Sequence, residues 1–222
     1  RHKAMTINFV GNYQNGYVGE VSDETHLAQA LEDLGHQVQR VPRDIWKAYV
    51  EGEWDDRWED LLPDKADINI IAKWHHFTDG RFITKLKATS DGAPVLYWVW
   101  DYMYEQGFPD WHLKMAREAD LYLSGEMGLD CMYRGYGVRP YYFQFDVCDG
   151  SLPVFDSTEE SKRHNLLFTG TYLGQGDRVD WLKQINNTYP ICIFSWNHEE
   201  WKKQGFEAHP AVYGEGYNRE VA

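Results

Sequence analysis

Ile7-Asn8-Phe9-Val10-Gly11-Asn12-Tyr13 and, about 160 residues later, Leu166-Leu167-Phe168-Thr169-Gly170-Thr171-Tyr172 are built on one plan. Each is a short apolar run that breaks at a glycine and leads through a polar, glycine-containing loop into a helical pattern. A buried parallel strand feeding a helix N-terminus has this form. The glycine lets backbone N–H groups approach an anionic ligand where the helix dipole favours negative charge. Two such openings, each starting a new βα series, predict an α/β chain of two Rossmann-like domains facing a shared cleft.

Outward from the first opening, Ile7–Val10 is read as strand one and 12–21 as a polar loop containing Gly16 and Gly19. Ser22 can cap a helix whose apolar residues recur at Leu27, Ala28, Ala30, Leu31 and Leu34. Gly35 ends that helix, and the segment Leu34–Val41 is the helix-stop-strand join that gives strand two. Lys47–Asp60, charged and Trp-rich, reads as an amphipathic helix. Further strands are predicted at Asp67–Ala72, Pro94–Trp100, Leu121–Ser124 and Tyr141–Phe145, with helices at Arg81–Thr89, Pro109–Glu118 and Leu129–Tyr136 between them. Such alternation predicts a first domain (5–150) with a parallel sheet of about six strands covered on both faces.

Residues 151–163 lack periodicity and form the expected linker. After it come strand Leu166–Thr169, helix Val179–Asn186, strand Ile191–Phe194, helix Glu199–Gln204 and an extended piece, Ala211–Tyr213. A Rossmann-like domain usually needs about 100 residues. The second domain (164–222) is therefore expected to be partial.

The 222 residues are 43% hydrophobic and 16% aromatic, enough for a buried core and against disorder. Ten Trp and 15 Tyr are many for this length; most serve packing, and they can also build stacking walls for sugars and bases. A net charge of −13 disfavours a general nucleic-acid binder but leaves room for a local basic groove, with Lys73, Arg81, Lys85 and Lys87 as the strip that could line one. Cys131, Cys148 and Cys192 have no paired spacing and read as reduced, buried thiols of a cytoplasmic protein. No apolar run approaches the roughly 20 residues that span a bilayer, so no membrane span is expected. Arg1–Ala4, before Met5, reads as an extraneous leader, and no signal peptide is visible.

The opening Asn8-Phe9-Val10-Gly11-Asn12, the join Leu34-Gly35-His36-Gln37-Val38, the second start Leu166–Arg178 and the piece Tyr213-Gly214-Glu215 together resemble the GT-B glycosyltransferases. The likeness is to the branch of family 4 and the CgeB-like spore-maturation proteins, and it covers nearly the whole chain. It implies a first domain that binds the acceptor and a second that binds a nucleotide-sugar, with no metal and no cofactor. Gly170, Thr171, Tyr172 and Arg178 would approach the donor diphosphate, Gly11 and Asn12 would form its opposite wall, and Tyr213 would begin the base-binding loop. Gly16, Tyr17, His75 and Trp100 would face the acceptor. Read without the resemblance, the glycines can be tight turns and Arg178 a solvated first-turn residue.

His75 and His76 follow the third strand, at the end where such folds place ligand contacts. Adjacent histidines on an extended chain point to opposite sides, and no set of three or four metal ligands accompanies them. Hydrogen bonding to sugar hydroxyls and plain structural polarity both remain open, with His76 a catalytic candidate. Asp101 ends strand four among aromatics, where a raised pKa would suit a general base on an acceptor hydroxyl. It can equally cap the following turn. Glu126, after strand five, is a weaker candidate of the same kind.

By resemblance, the reaction is transfer of a sugar from a nucleotide-diphosphate donor to an acceptor hydroxyl with retention. Its main electrostatic task is to stabilise the leaving diphosphate. Two other classes compete: another sugar-nucleotide enzyme such as an epimerase, and a truncated GT-B module that binds without turnover. A flavodoxin-like or response-regulator chain explains neither the second opening nor the length. The acceptor (polysaccharide, small molecule or modified nucleobase), the donor sugar and the oligomeric state are not legible here.

Overall fold

A computed structural model describes residues 3–13, 22–42, 65–72, 80–100, 103, 107–126, 128–143, 166–172, 174 and 177–211. They build two parallel sheets that belong to two compact units. The predicted helix at 47–60 and the linker at 151–163 lie outside the described residues.

In the first unit, β1 (Thr6–Gly11), β2 (Gln37–Pro42), β3 (Ile68–Ala72), β4 (Val95–Val99), β5 (Leu121–Ser124) and β6 (Pro140–Tyr142) form one sheet in the order β2-β1-β3-β4-β5-β6. Every pairing is parallel. The predicted six-stranded parallel sheet is therefore present. The helices between strands are α1 (Asp23–Asp33), α2 (Gly80–Thr89), α3 (Asp110–Glu118) and α4 (Asp130–Gly135). Ser22 caps α1 as its sequence requires, its Oγ accepting from Thr25 N–H at 3.2 Å. Gly35 ends the α1 turn at φ +89°, a conformation that favours glycine.

The chain goes from β1 to β2 on one side, then crosses back to β3 and continues on the other. That reversal opens a crevice outside the carboxyl ends of β1 and β3, where open α/β sheets take ligands. Register there is fixed by a buried amide pair: Asn8 Nδ2 donates to Asn69 Oδ1 at 2.8 Å, and Asn69 Nδ2 donates to Ser90 Oγ and Ala93 O. A one-residue slip of β3 would break all three bonds.

Two details depart from the sequence reading. β6 starts at Pro140, one residue before the predicted strand, because an edge strand tolerates proline at its first position. Cys131 lies exposed on α4 rather than buried, whereas Cys192 is buried as expected and Cys148 lies outside the described residues.

The second unit holds β7 (Leu167–Thr169), α5 (Arg178–Asn186), β8 (Cys192–Ser195), α6 (His198–Lys203) and β9 (Glu207–Pro210), its sheet ordered β7-β8-β9 and parallel. Its core gathers Leu182, Ile191, Ile193, Phe206 and Ala208 around the fully buried Trp201. The last strand was not expected from the sequence; of the extended piece expected at 211–213, residues 212 and 213 lie outside the described residues. β9 spans Glu207–Pro210, and Ala211 only donates its N–H to Ser195 O (3.1 Å) beyond the strand end. No helix among the described residues is long and apolar enough to cross a membrane.

Candidate functional site

At the carboxyl end of β7, Gly170-Thr171-Tyr172 leaves the sheet beside the carboxyl end of β8, its parallel neighbour. Three side chains from the β8–α6 segment hold this loop. Asn197 grips Tyr172 twice: its Oδ1 accepts from Tyr172 N–H at 2.9 Å and its Nδ2 donates to Tyr172 O at 2.7 Å. Ser195 Oγ donates to the same Oδ1 at 2.7 Å and so orients the amide. Trp196 Nε1 donates to Thr171 Oγ1 at 2.9 Å, and Trp201 Nε1 donates to Gly170 O at 3.1 Å. Every residue of the loop is thus tied by a side chain.

Packing continues the restraint. The Tyr172 and Phe168 rings meet the buried Trp201 edge-on at 5.1 Å and 5.7 Å. Gly170 makes a close approach: a Cβ there would come within 2.8 Å of Phe168 Cζ, so the ring would have to shift. Arg178 opens α5 and donates from Nη1 to Thr171 O at 3.4 Å, which brings its guanidinium to the loop. Asp177 and Asp180 flank it at the helix start and oppose the attraction of the dipole for an anion. A phosphate at this loop therefore depends chiefly on Arg178, because the Gly170 and Tyr172 N–H groups already donate to Phe194 O and Asn197 Oδ1.

In the first unit, Gly11 ends β1 at the crevice and Asn12 follows it. Gly11 packs on the buried Glu24, whose Cβ and Cγ would lie 2.8 Å from an added methyl group. Tyr13 donates to Phe9 O at 2.8 Å, and its hydroxyl is pushed well above the ordinary phenol range by burial and then by the Glu24 carboxylate. A carboxylate under Gly11 disfavours direct approach of a diphosphate from that side. At the end of β4, Trp100 belongs to an aromatic cluster: Trp98 meets both Trp100 and Phe143 edge-on at 5.3 Å. Gly125 lets the next strand pass this wall, since a Cβ there would lie 3.0 Å from Trp100 Cα.

A buried polar chain ends at the same edge of the sheet. Tyr133 on α4 donates to Glu126 Oε2 at 2.5 Å, and Tyr122 on β5 donates to Tyr133 Oη at 3.0 Å. With those donors assigned, the 3.3 Å contact between Tyr122 Oη and His112 Nε2 needs a proton on the imidazole. His112 Nδ1 is then the acceptor for Tyr97 O–H at 3.1 Å. Donors thus run in one direction, from Tyr97 through His112 to the Glu126 carboxyl. Burial holds the His112 pKa down to about 4, so the ring is neutral. Burial lifts Tyr122 to about 12 against the hydrogen bond to Tyr133 that lowers it, and lifts Tyr133 further still.

Glu126, 4% exposed and just beyond β5, is therefore a carboxyl held in one place at the carboxyl end of that strand. Tyr133→Phe removes that hydrogen bond from a buried carboxyl, and the expected cost is about 2 kcal/mol. Urea unfolding of variant and parent would show it as a lower midpoint at unchanged slope.

Of the predicted site residues, Gly170, Thr171, Tyr172 and Arg178 come together in the second unit, and Gly11, Asn12 and Trp100 lie at carboxyl ends of strands in the first. His75, His76, Asp101, Gly16, Tyr17 and Tyr213 lie outside the described residues. Lys73, from the basic strip, does too, while Lys87 pairs with Asp120 at 2.8 Å, at the opposite edge of the sheet from the crevice. Sequence reasoning missed Asn197, Trp196 and His112. For the first two a signal existed: they follow the predicted strand Ile191–Phe194, at the end where such folds place ligand contacts.

No protein-family model matches the sequence, and no curated protein matches it. Solved structures do share its fold. An alpha-glucosyltransferase in complex with UDP and a 13-mer DNA containing an HMU base superposes with a TM-score of 0.55 at 13% identity, over 87% of this chain and 57% of the other. A second structure of an alpha-glucosyltransferase with UDP and such a DNA gives 0.50 at 12% identity, over 92% and 59%. The chain spans just under three fifths of the length of these neighbours. At such identities the likeness is one of architecture: an α/β chain of the GT-B type.

Proposed function

We propose that this protein is a glycosyltransferase that moves a sugar from a nucleotide-diphosphate donor to an acceptor hydroxyl. The second unit takes the donor at Gly170, Thr171, Tyr172 and Arg178, and the first takes the acceptor. The single observation that carries this is the clamped 170–172 loop. Asn197 and Trp201 hold its backbone, and Trp196 the Thr171 hydroxyl, in one conformation at the carboxyl end of β7. A leaving diphosphate is stabilised best by donors already fixed before the reaction. Arg178 adds a guanidinium able to grip phosphate oxygens. By analogy with the UDP-bound neighbours, the donor is a UDP-sugar and the acceptor a hydroxyl on a modified DNA base.

Transfer proceeds with retention and without a metal, the leaving phosphate taking the acceptor proton. Trp100, with Trp98 and Phe143 beside it, offers an aromatic wall against which a sugar or base can stack. Asp101 and His76 are the first candidates for catalysis at the acceptor hydroxyl, and Gly16, Tyr17 and His75 are candidates for acceptor contact. Glu126 is a further candidate, held by Tyr133. Asn12, rather than Gly11 over the Glu24 carboxylate, is the first-unit candidate for donor contact, and Tyr213 is the candidate for the nucleotide base.

A thermal-unfolding panel with UDP, GDP, ADP and CMP tests the donor half. Stabilisation by UDP above the others is expected. Silence toward all four nucleotides would overturn the assignment.

A further inference from the structure

One cluster of ligating side chains lies away from the 170–172 loop. Cys192 opens β8 and Glu207 opens β9, and the two are register partners, so their side chains share a face of the sheet. His209 stands two residues further along β9 and, by the period of a strand, on that same face. The Cys192 sulfur, a Glu207 carboxylate oxygen and a His209 ring nitrogen all lie within 4.8 Å of one another. Among the described residues no other group of three does so.

Each member is suited to a ligand. His209 Nε2 and Glu207 Oε1 are 3.1 Å apart, already the separation of two atoms that share a tetrahedral ion. The His209 ring is stacked on Phe194, its register partner, with centroids 5.4 Å apart, which sets the plane of the imidazole. Cys192 is 2% exposed while the Glu207 and His209 side chains are 62% and 45% exposed. An ion can therefore enter from solvent and meet the thiolate at the base of the cluster. One thiolate, one imidazole and one carboxylate form a borderline donor set that matches zinc rather than magnesium or calcium.

We propose that Cys192, Glu207 and His209 bind one zinc ion, with water in the fourth coordination place. Binding transfers the Cys192 thiol proton to solvent as the sulfur bonds the metal, and His209 binds through its neutral ring. The site begins at the amino ends of β8 and β9, whereas Trp196 and Asn197 stand at the carboxyl end of β8. The ion is therefore a strap, not a participant in diphosphate chemistry: it ties β9, which pairs only with β8 among the described strands, to the rest of the sheet. The proposal is independent of the transfer reaction.

The test is a cobalt titration of the metal-stripped full chain, read by absorption, followed by competition with zinc. One cobalt per chain is expected, with a thiolate charge-transfer band in the near ultraviolet that zinc abolishes. His209→Ala and Glu207→Gln alter partly exposed side chains, and each should weaken cobalt binding at least about tenfold. Cys192→Ser should remove the band. Zinc should raise the thermal midpoint of the parent and leave that of His209→Ala unchanged. Absence of a thiolate band overturns the proposal. So does a band that survives Cys192→Ser, or affinity unchanged in His209→Ala.

Discussion

Asn197→Ala is expected to weaken UDP binding on the order of 100-fold. The amide makes three hydrogen bonds, two to Tyr172 backbone atoms and one from Ser195, at 2.7–2.9 Å. Each has a net worth of about 1 kcal/mol, so their loss amounts to about 3 kcal/mol. Alanine leaves the Tyr172 N–H and C=O to find water, and the 170–172 loop then has to be ordered again each time a ligand binds. Isothermal titration with UDP reads the affinity, and thermal unfolding reads the fold. A lower midpoint with unchanged affinity would mean that the loop is structural only, with the donor bound elsewhere. Trp196 provides a graded comparison, because Trp196→Phe removes a single bond to Thr171 and should cost about tenfold at most.

Acid is expected to destabilise the first unit through His112. In the folded protein this ring is neutral with a pKa near 4, against 6.5 for an exposed histidine. Above the unfolded value both states are neutral and His112 makes no difference. As pH falls below 6.5 the unfolded chain takes up a proton that the folded chain refuses, so stability drops until pH passes about 4. With about 1.4 kcal/mol per pKa unit, the loss over that window reaches about 3 kcal/mol. Urea unfolding at pH 7 and pH 4.5 measures it in the parent and in His112→Gln, which does not titrate. A fall of the same size in both would place the acid sensitivity in other groups.

Much of the fold was legible because it depends on local chemistry. Ser22 and Gly35 bound α1 by capping and by a positive φ, both properties of a single residue. The apolar runs of β1, β3 and β7 had no competing period. β9 was hidden for the opposite reason: Glu207-Ala208-His209-Pro210 buries only Ala208, so its alternation is too short to register. Site residues divided in the same way. Gly170 announced itself as a break after a strand, but its closeness to Phe168 belongs to the folded chain.

Asn197 acts on a backbone 25 residues away, and Cys192 meets His209 only through strand register. Nothing in the separate segments carries those pairings. His112 sits on the apolar face of α3 with Leu113, Met115 and Ala116, where a histidine looks like an ordinary core residue until Tyr97, Tyr122 and Tyr133 are brought around it.

The most direct measurement is sugar transfer itself. The full chain is incubated with UDP-glucose and a DNA 13-mer containing an HMU base, the acceptor class of the structural neighbours, and the DNA is weighed by mass spectrometry while free UDP is assayed. One hexose added per modified base, with UDP released in equal amount and both lost in Asn197→Ala, is the expected result. DNA of unchanged mass, with UDP neither bound nor released from any UDP-sugar, would contradict a transferase built on the 170–172 loop.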